Sequence, residues 1–353
     1  MLNFALVGCG RIAKRHSELL GNGQIEGAQL ISVCDNIIDK SDKIAEQFGV
    51  SSYNDMNKMM QSESIDVVVV LTPSGLHAEH VVNLAQYGKH IMVEKPMALT
   101  IEDAESMIYA CDVNNIKLFI IKQNRFNIPV VKLREALESG RFGKLSLGTV
   151  RVRWARHQAY YDQDPWRGTW AMDGGVLTNQ ASHHVDMLEW MMGDVESVFA
   201  KMTTALADVE TEDTAIVTLK FKSGALGIIE ATTATRPTNL EGSISILGEN
   251  GTVVIGGVAV NEMQTWVFED EQEGDSGVLE EFSVNPPNVY GFGHQAYYEH
   301  VVDCVVNESA NLVDGLQGRK SIELISAIYE SAETGKEVFL KFQPKHCRLG
   351  QKS

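Results

Sequence analysis

The chain opens with a short apolar run, Phe4-Ala5-Leu6-Val7, that leads directly into Gly8-Cys9-Gly10-Arg11-Ile12-Ala13. Phe4–Val7 reads as a buried strand. Gly8 permits the tight turn that ends it, Gly10 has no Cβ to obstruct a pyrophosphate, and Ala13 lets the following helix pack close to the strand. The start of that helix aims free backbone N–H groups and a positive dipole end at a phosphate. Asp35, at the end of the next apolar run, is placed to accept hydrogen bonds from both hydroxyls of an adenine ribose. Strand, turn, helix and acidic partner together predict a dinucleotide site. NAD is preferred over NADP, because Asp35 repels a 2′-phosphate and Asn36, Ile37 and Ile38 offer no cation to counter it.

The same alternation continues. A helix over 12–20, strand Leu30–Cys34, a helix carrying Ile44, Ala45 and Phe48, strand Val67–Leu71, a helix over 77–87, strand His90–Glu94, a helix capped by Thr100 and strand Lys117–Ile121 follow in order. Continuous apolar strands between amphipathic helices predict a parallel, doubly wound Rossmann sheet for residues 1–122. Beyond a helix at 129–139 the pattern changes. Segments 145–154, 195–206, 213–222, 225–235, 241–248 and 251–256 alternate apolar and polar residues, and Ser223-Gly224 and Asn250-Gly251 are hairpin turn signals. Residues 123–353 are therefore expected to form an α+β domain with a large, mostly antiparallel sheet. It would be completed by a mobile loop over 270–290, helices near 294–306 and 316–333, and a last strand at 337–342. The uncovered face of that sheet is expected to meet a second subunit, as a homodimer or homotetramer.

Lys and Arg number 30 against 47 Asp and Glu, a formal net charge of −17. Such a field repels nucleic acid and anionic membrane surfaces, and an anionic substrate would need a local cluster of basic residues. The five cysteines are scattered without a CxxC, which fits a reducing compartment. With no secretory pattern before the first strand and no long apolar run, a soluble cytoplasmic protein is expected.

Two constellations carry chemistry beyond the glycine turn. Glu94-Lys95-Pro96 stands at the carboxyl end of a parallel strand, the edge where open α/β sheets place ligands. A partly desolvated lysine there has a lowered pKa and bonds a substrate hydroxyl, and a cis proline would aim it. The second is the run from Asp173-Gly174-Gly175 to His183-His184-Val185-Asp186. A helix from Asn179 to Met192 would place Asn179 and His183 one turn apart on one face, an amide and an imidazole able to orient an alcohol and remove its proton. His183, His184 and Asp186 lack the spacing of a metal site, and no GxSxG nucleophile is present, so no metal is expected.

These motifs, with Thr72-Pro73-Ser74-Gly75-Leu76-His77 between them, make the chain resemble the Gfo/Idh/MocA oxidoreductases over nearly its whole length. The resemblance implies Lys95 and His183 as catalytic lysine and histidine. Asn179 stands where many members carry Asp, and Ala181 where many carry Gly. It implies a cofactor site of Gly8, Gly10, Arg11, Ile12, Asp35, Thr72, Pro73, Ser74, His77, Glu94, Lys95 and Gln123. Lys122-Gln123-Asn124-Arg125, Tyr160-Tyr161, Trp166-Arg167-Gly168-Thr169-Trp170, Asn179–His183 and Gly256–Glu262 are most similar to the WlbA-type members, which oxidise the 3-hydroxyl of UDP-N-acetylglucosaminuronate with NAD for surface polysaccharides. This implies a nucleotide-sugar substrate touching Lys95, Asn124, Tyr161, Arg167, Asn179 and His183. Arg125, Arg151, Arg153, Arg156 and Arg167 would supply positive charge to a uronate and a diphosphate, although Arg151 and Arg153 also fit the exposed face of a strand. An inositol or simple-sugar dehydrogenase is the rival enzyme. A non-catalytic NAD- and sugar-binding sensor is the rival of another class, disfavoured by paired proton handlers.

Overall fold

The computed structural model describes residues 1–283, 292–342 and 347–351. The chain divides into two units. Met1–Lys122 and His294–Lys320 form the first; Gln123–Gly293 and Ser321–Ser353 form the second.

In the first unit β1 (Leu2–Val7), α1 (Ala13–Gly21), β2 (Ala28–Cys34), α2 (Ile38–Phe48), β3 (Ser51–Tyr53), α3 (Met56–Ser62), β4 (Val67–Val70), α4 (His77–Ala85), β5 (His90–Val93), α5 (Ile101–Val113) and β6 (Leu118–Ile120) follow one another. The six strands are parallel, in the order β3-β2-β1-β4-β5-β6. This is the doubly wound order of dinucleotide-binding sheets, whose ligand crevice lies at the carboxyl ends of the strands where the winding reverses, here β1 and β4. Val67 to Val70 are fully buried, each side chain contributing about 1.5–3 kcal/mol. Thr100 Oγ1 accepts the Asp103 N–H and starts α5.

The second unit contains α6 (Ile128–Glu138), β7 (Leu145–Arg153), α7 (Gln158–Tyr161), a π-turn over Val176–Gln180, α8 (Ser182–Met192), β8 (Val195–Thr203), β9 (Thr214–Phe221), β10 (Leu226–Thr232), β11 (Glu241–Gly248), β12 (Gly251–Gly256), β13 (Glu262–Phe268) and α9 (Val278–Glu281). The eight-stranded sheet has the order β13-β12-β11-β7-β10-β9-β8-β14, and every pairing is antiparallel except β7 with β10. Helix α8 packs over β7, where Gly148 makes room: a Cβ there would lie 2.6 Å from Met192 Cγ. The opposite face is open and carries Phe199, Ile216, Leu226 and Ile228, exposed by 39, 57, 57 and 38%. The last elements are α10 (Gly293–Val306), α11 (Gly315–Thr334) and β14 (Val338–Phe339).

Three expectations need correction. The compact units do not follow the expected boundary at 122, because His294–Lys320 packs with the first unit. There Tyr297 donates to the Ile120 carbonyl at 2.7 Å, Tyr298 packs edge-on against Phe4, and Lys117 donates to the Cys304 carbonyl. The helix expected from Asn179 to Met192 is interrupted: Asn179 lies in the π-turn and α8 starts only at Ser182. Within the expected loop 270–290, Asp275–Gly277 and Val278–Glu281 are helical turns, and residues 284–290 lie outside the described residues.

Candidate functional site

The first unit holds the cofactor elements. Gly8 has φ +99°, and a Cβ on it would lie 2.8 Å from the Leu71 carbonyl group, so only glycine fits between the ends of β1 and β4. A Cβ on Gly10 would meet nothing within 4 Å. The surface beside Gly10 is open, as a pyrophosphate approaching the backbone requires. No side chain caps α1; its Ala13 and Arg15 N–H groups donate to the Gly10 and Ile12 carbonyls at 3.1 and 3.0 Å, and its positive dipole end faces the glycine turn. Asp35 accepts the backbone N–H of Cys9 through Oδ2 and that of Ile37 through Oδ1, both at 2.8 Å. These residues fit a dinucleotide. Arg11 is exposed and Ile12 half-buried at the same turn.

Thr72-Pro73-Ser74 follows β4, and the Lys95–Pro96 bond after β5 is cis. His77 is buried, with Nδ1 2.8 Å from the Pro96 carbonyl oxygen and Nε2 2.8 Å from that of Thr72. Burial pushes its pKa down. The neutral ring donates to one of these carbonyls and lies against the other, so His77 sits between the two turns. Glu94 also works inward. Its Oε2 accepts the Lys95 N–H at 2.9 Å, and its Oε1 lies 3.2 Å from His16 Nε2 and 3.8 Å from His294 Nε2. Burial alone would raise the Glu94 carboxyl, yet the bonds from both histidines hold it well below the usual range. His16 continues to the Tyr298 hydroxyl at 2.7 Å. His16, Glu94 and His294 form a His/carboxylate group whose ligand atoms lie within 4.8 Å of one another, the one such group among the described residues. The His16–Glu94 separation is that of a hydrogen bond, and the cluster fixes the backbone that presents the half-buried Lys95.

The second unit holds most of the residues expected to meet a substrate. Asn179 donates from Nδ2 to Asp173 Oδ1, and its Oδ1 accepts from Gln180 Nε2. Gln180 Nε2 also donates to the Tyr160 hydroxyl at 3.0 Å, and its Oε1 accepts from Arg156 Nη2 at 2.8 Å. Arg167 Nη1 donates to the same Tyr160 hydroxyl at 2.8 Å, while its Nε reaches Asp164 at 3.0 Å. Arg156 and Arg167 stack on Tyr160, with guanidinium carbons 5.2 and 4.6 Å from the ring centre. Two cations, an aromatic ring and two amides thus form one network. His183 is buried at the first turn of α8, and the wholly buried His184 meets the edge of Trp154. Gln123 and Asn124 are buried in a 3₁₀ turn, and Gln123 Oε1 has no hydrogen-bond partner among the described residues. Tyr161 is bound to Thr233 Oγ1 at 3.0 Å, and burial pushes its phenol up to about 12.

The expected five-arginine cluster does not assemble. Arg151 and Arg153 lie on the open face of the sheet, paired with Glu230 and Glu241. Arg125 is buried and grips Asp186 through Nε and Nη2 at 2.8 and 2.7 Å. Arg156 and Arg167 alone of the five share the Tyr160 network. Sequence reasoning did not assign Tyr160, Gln180, Asp173, His16 or His294 to a site. Their only signals were proximity to motifs, and for His294 there was none.

Residues 2–121 match the Gfo/Idh/MocA model described as an oxidoreductase family NAD-binding Rossmann fold, and residues 134–340 match its C-terminal alpha/beta domain. The chain belongs to the Gfo/Idh/MocA oxidoreductase family. Within it, the chain is similar to the WlbA dehydrogenase of Chromobacterium violaceum, solved in complex with NADH and UDP-GlcNAcA: 43% identity, TM-score 0.90, covering 96% of this chain and 95% of that one. The Bordetella pertussis WlbA dehydrogenase, also solved with NADH and UDP-GlcNAcA, gives 42% identity and a TM-score of 0.91 over 96 and 97% of the two chains. Myo-inositol 2-dehydrogenase of Thermotoga maritima is 31% identical over 283 residues, 78% of this chain and 80% of that enzyme. This Gfo/Idh/MocA chain is thus an NAD-dependent oxidoreductase related to sugar dehydrogenases.

Proposed function

We propose that the chain oxidises the 3-hydroxyl of UDP-N-acetyl-D-glucosaminuronate, on a route to the sugars of a surface polysaccharide. The observation that carries this reading is 42–43% identity over 96% of the chain to two enzymes crystallised with that nucleotide sugar. Bound NAD supplies the hydride acceptor. Lys95 and His183 take up the hydroxyl proton and stabilise the developing alkoxide, and Asn179, held by Asp173, orients the hydroxyl. Arg167 and Arg156 offer the cationic edge for the carboxylate or diphosphate, with Asn124 and Tyr161 beside the same substrate. The test is NADH formation by the purified chain with UDP-N-acetylglucosaminuronate, UDP-N-acetylglucosamine, myo-inositol and glucose. Turnover of the uronate alone supports the assignment; turnover of free sugars without the uronate overturns it.

The reading extends to assembly and location. The exposed Phe199, Ile216, Leu226 and Ile228 on the open sheet face form an apolar surface suited to a second copy, giving a homodimer or homotetramer. Among the described residues no helix is long and apolar enough to cross a membrane, and Cys9, Cys34, Cys111 and Cys304 are buried thiols. Both features support action in the cytoplasm.

A further inference from the structure

The double glycine in Asp173-Gly174-Gly175 precedes the π-turn, and the structure shows what it accommodates. Gly174 has φ +74°. A Cβ on Gly175 would lie 2.0 Å from Glu212 Oε2, so the Glu212 carboxyl presses directly on the Gly175 backbone. Glu212 Oε1 accepts the Leu177 N–H at 3.0 Å and the Tyr329 hydroxyl at 2.9 Å, and its own carbonyl accepts the Val176 N–H at 2.9 Å. Tyr329 Oη also lies 2.9 Å from Thr178 Oγ1 and accepts the Gly175 N–H at 3.2 Å. Two buried residues, from the segment before β9 and from α11, therefore hold four consecutive residues, Gly175 to Thr178: three through their side chains and Val176 through the Glu212 carbonyl. The next residue is Asn179.

We propose that Glu212 and Tyr329 are positioning residues that hold the turn in its π-wound form and so set where Asn179 stands relative to His183. An uninterrupted α-helix would stack these two side chains one turn apart. The π-turn and the break at Ala181 replace that geometry, and π-turns within helices recur at functional sites. Glu212 Oε2 is buried without a hydrogen-bond partner among the described residues, an arrangement far costlier for a carboxylate than for the neutral acid. Burial, with Asp173 adding to it, pushes the carboxyl up to about 7. Asp173 and Tyr329 are the titratable groups facing it, and neither supplies positive charge. The bonds that Oε1 accepts from Leu177 and Tyr329 oppose that rise, and Oε1 remains an acceptor in either protonation state.

The test rests on the dehydrogenase reading above and uses the full chain. Tyr329→Phe is expected to lower kcat about 10-fold or more, with KM for NAD within about twofold of wild type, since misplacement from a distant substitution reaches about 10²-fold. Glu212→Gln keeps a carbonyl acceptor for Leu177 and Tyr329, so it should retain more of the wild-type kcat than Glu212→Ala, which removes it. Wild-type kcat in Tyr329→Phe, or equal losses in Glu212→Gln and Glu212→Ala, would overturn the clamp. Should Tyr329→Phe fail to fold, Thr178→Val takes its place in the same comparison. A wild-type chain that turns over no nucleotide sugar counts against the substrate reading instead. Amide hydrogen exchange across residues 176–181 then decides: faster in the variant supports the clamp, unchanged overturns it.

Discussion

The Asp35 carboxylate accepts the backbone N–H of Cys9 at 2.8 Å, which joins the glycine turn to the acidic residue expected at the ribose. Because one oxygen anchors the turn and the other accepts Ile37 N–H, the charge cannot swing aside for a 2′-phosphate. Catalytic efficiency with NAD should exceed that with NADP by about 10-fold or more, the effect of about 1.4 kcal/mol of repulsion. Equal use of the two cofactors would contradict this.

Lys95→Ala and His183→Ala should each lower kcat by about 10²–10⁴-fold, the usual cost of losing general acid–base help. NAD affinity, measured by nicotinamide fluorescence on titration with NADH, should change little. Asn179→Asp sets a second carboxylate against Asp173, whose Oδ1 now accepts from the amide. Like charges at that distance disfavour ionisation of both, so activity at neutral pH should fall. Unchanged activity would show that the amide is dispensable.

Arg167→Ala should raise KM for the uronate by about 10–100-fold, since a hydrogen bond to a charged group contributes about 1.5–3 kcal/mol. The same substitution should matter less for UDP-N-acetylglucosamine if the guanidinium meets the carboxylate. Comparison of the two KM ratios separates a carboxylate contact from a diphosphate contact.

Glu212 also predicts a pH dependence of stability. Burial raises its folded-state pKa to about 7 from the ordinary value of 4.5. A raised acid contributes stability that is full below the unfolded pKa and is lost as pH climbs through the folded one. Between about pH 4.5 and about pH 7 this should remove of order 1–3 kcal/mol in wild type and nothing in Glu212→Gln. Thermal unfolding of both across that window reads the difference.

Ile216→Lys combined with Ile228→Lys should abolish the proposed assembly through the open sheet face without unfolding the chain, because both side chains are exposed in the single chain. Light scattering after gel filtration reports the mass. An unchanged mass would exclude the open sheet face as the interface.

The parallel sheet was legible because its central strands are apolar without interruption, as at Val67–Val70, and because glycine and acid stand in a recognisable order. Strands Ser51–Tyr53 and Glu262–Phe268 escaped for opposite reasons. The first is a short polar edge strand paired only with β2, and the second follows a glycine-rich turn that masks its alternation. Arg151 and Arg153 fitted both a substrate field and the exposed face of a strand, and the partners that decide for the second, Glu230 and Glu241, lie far along the chain. The interrupted helix after Asn179 was invisible for the same reason: Glu212 and Tyr329, which hold the turn, are remote in sequence. Local periodicity reports what a segment prefers, and here tertiary hydrogen bonds override it.

The return of His294–Lys320 to the first unit makes the Rossmann half a discontinuous module: the backbone leaves it after Lys122, re-enters at His294 and departs again after Lys320. A fragment ending at residue 122 would therefore lack Tyr297, Tyr298 and Cys304, all fully enclosed in the intact protein, and would bare Phe4 and His16 to water. Recombination with a foreign catalytic half cannot be achieved at a single junction. The two halves must be exchanged through three splice points, or inherited together.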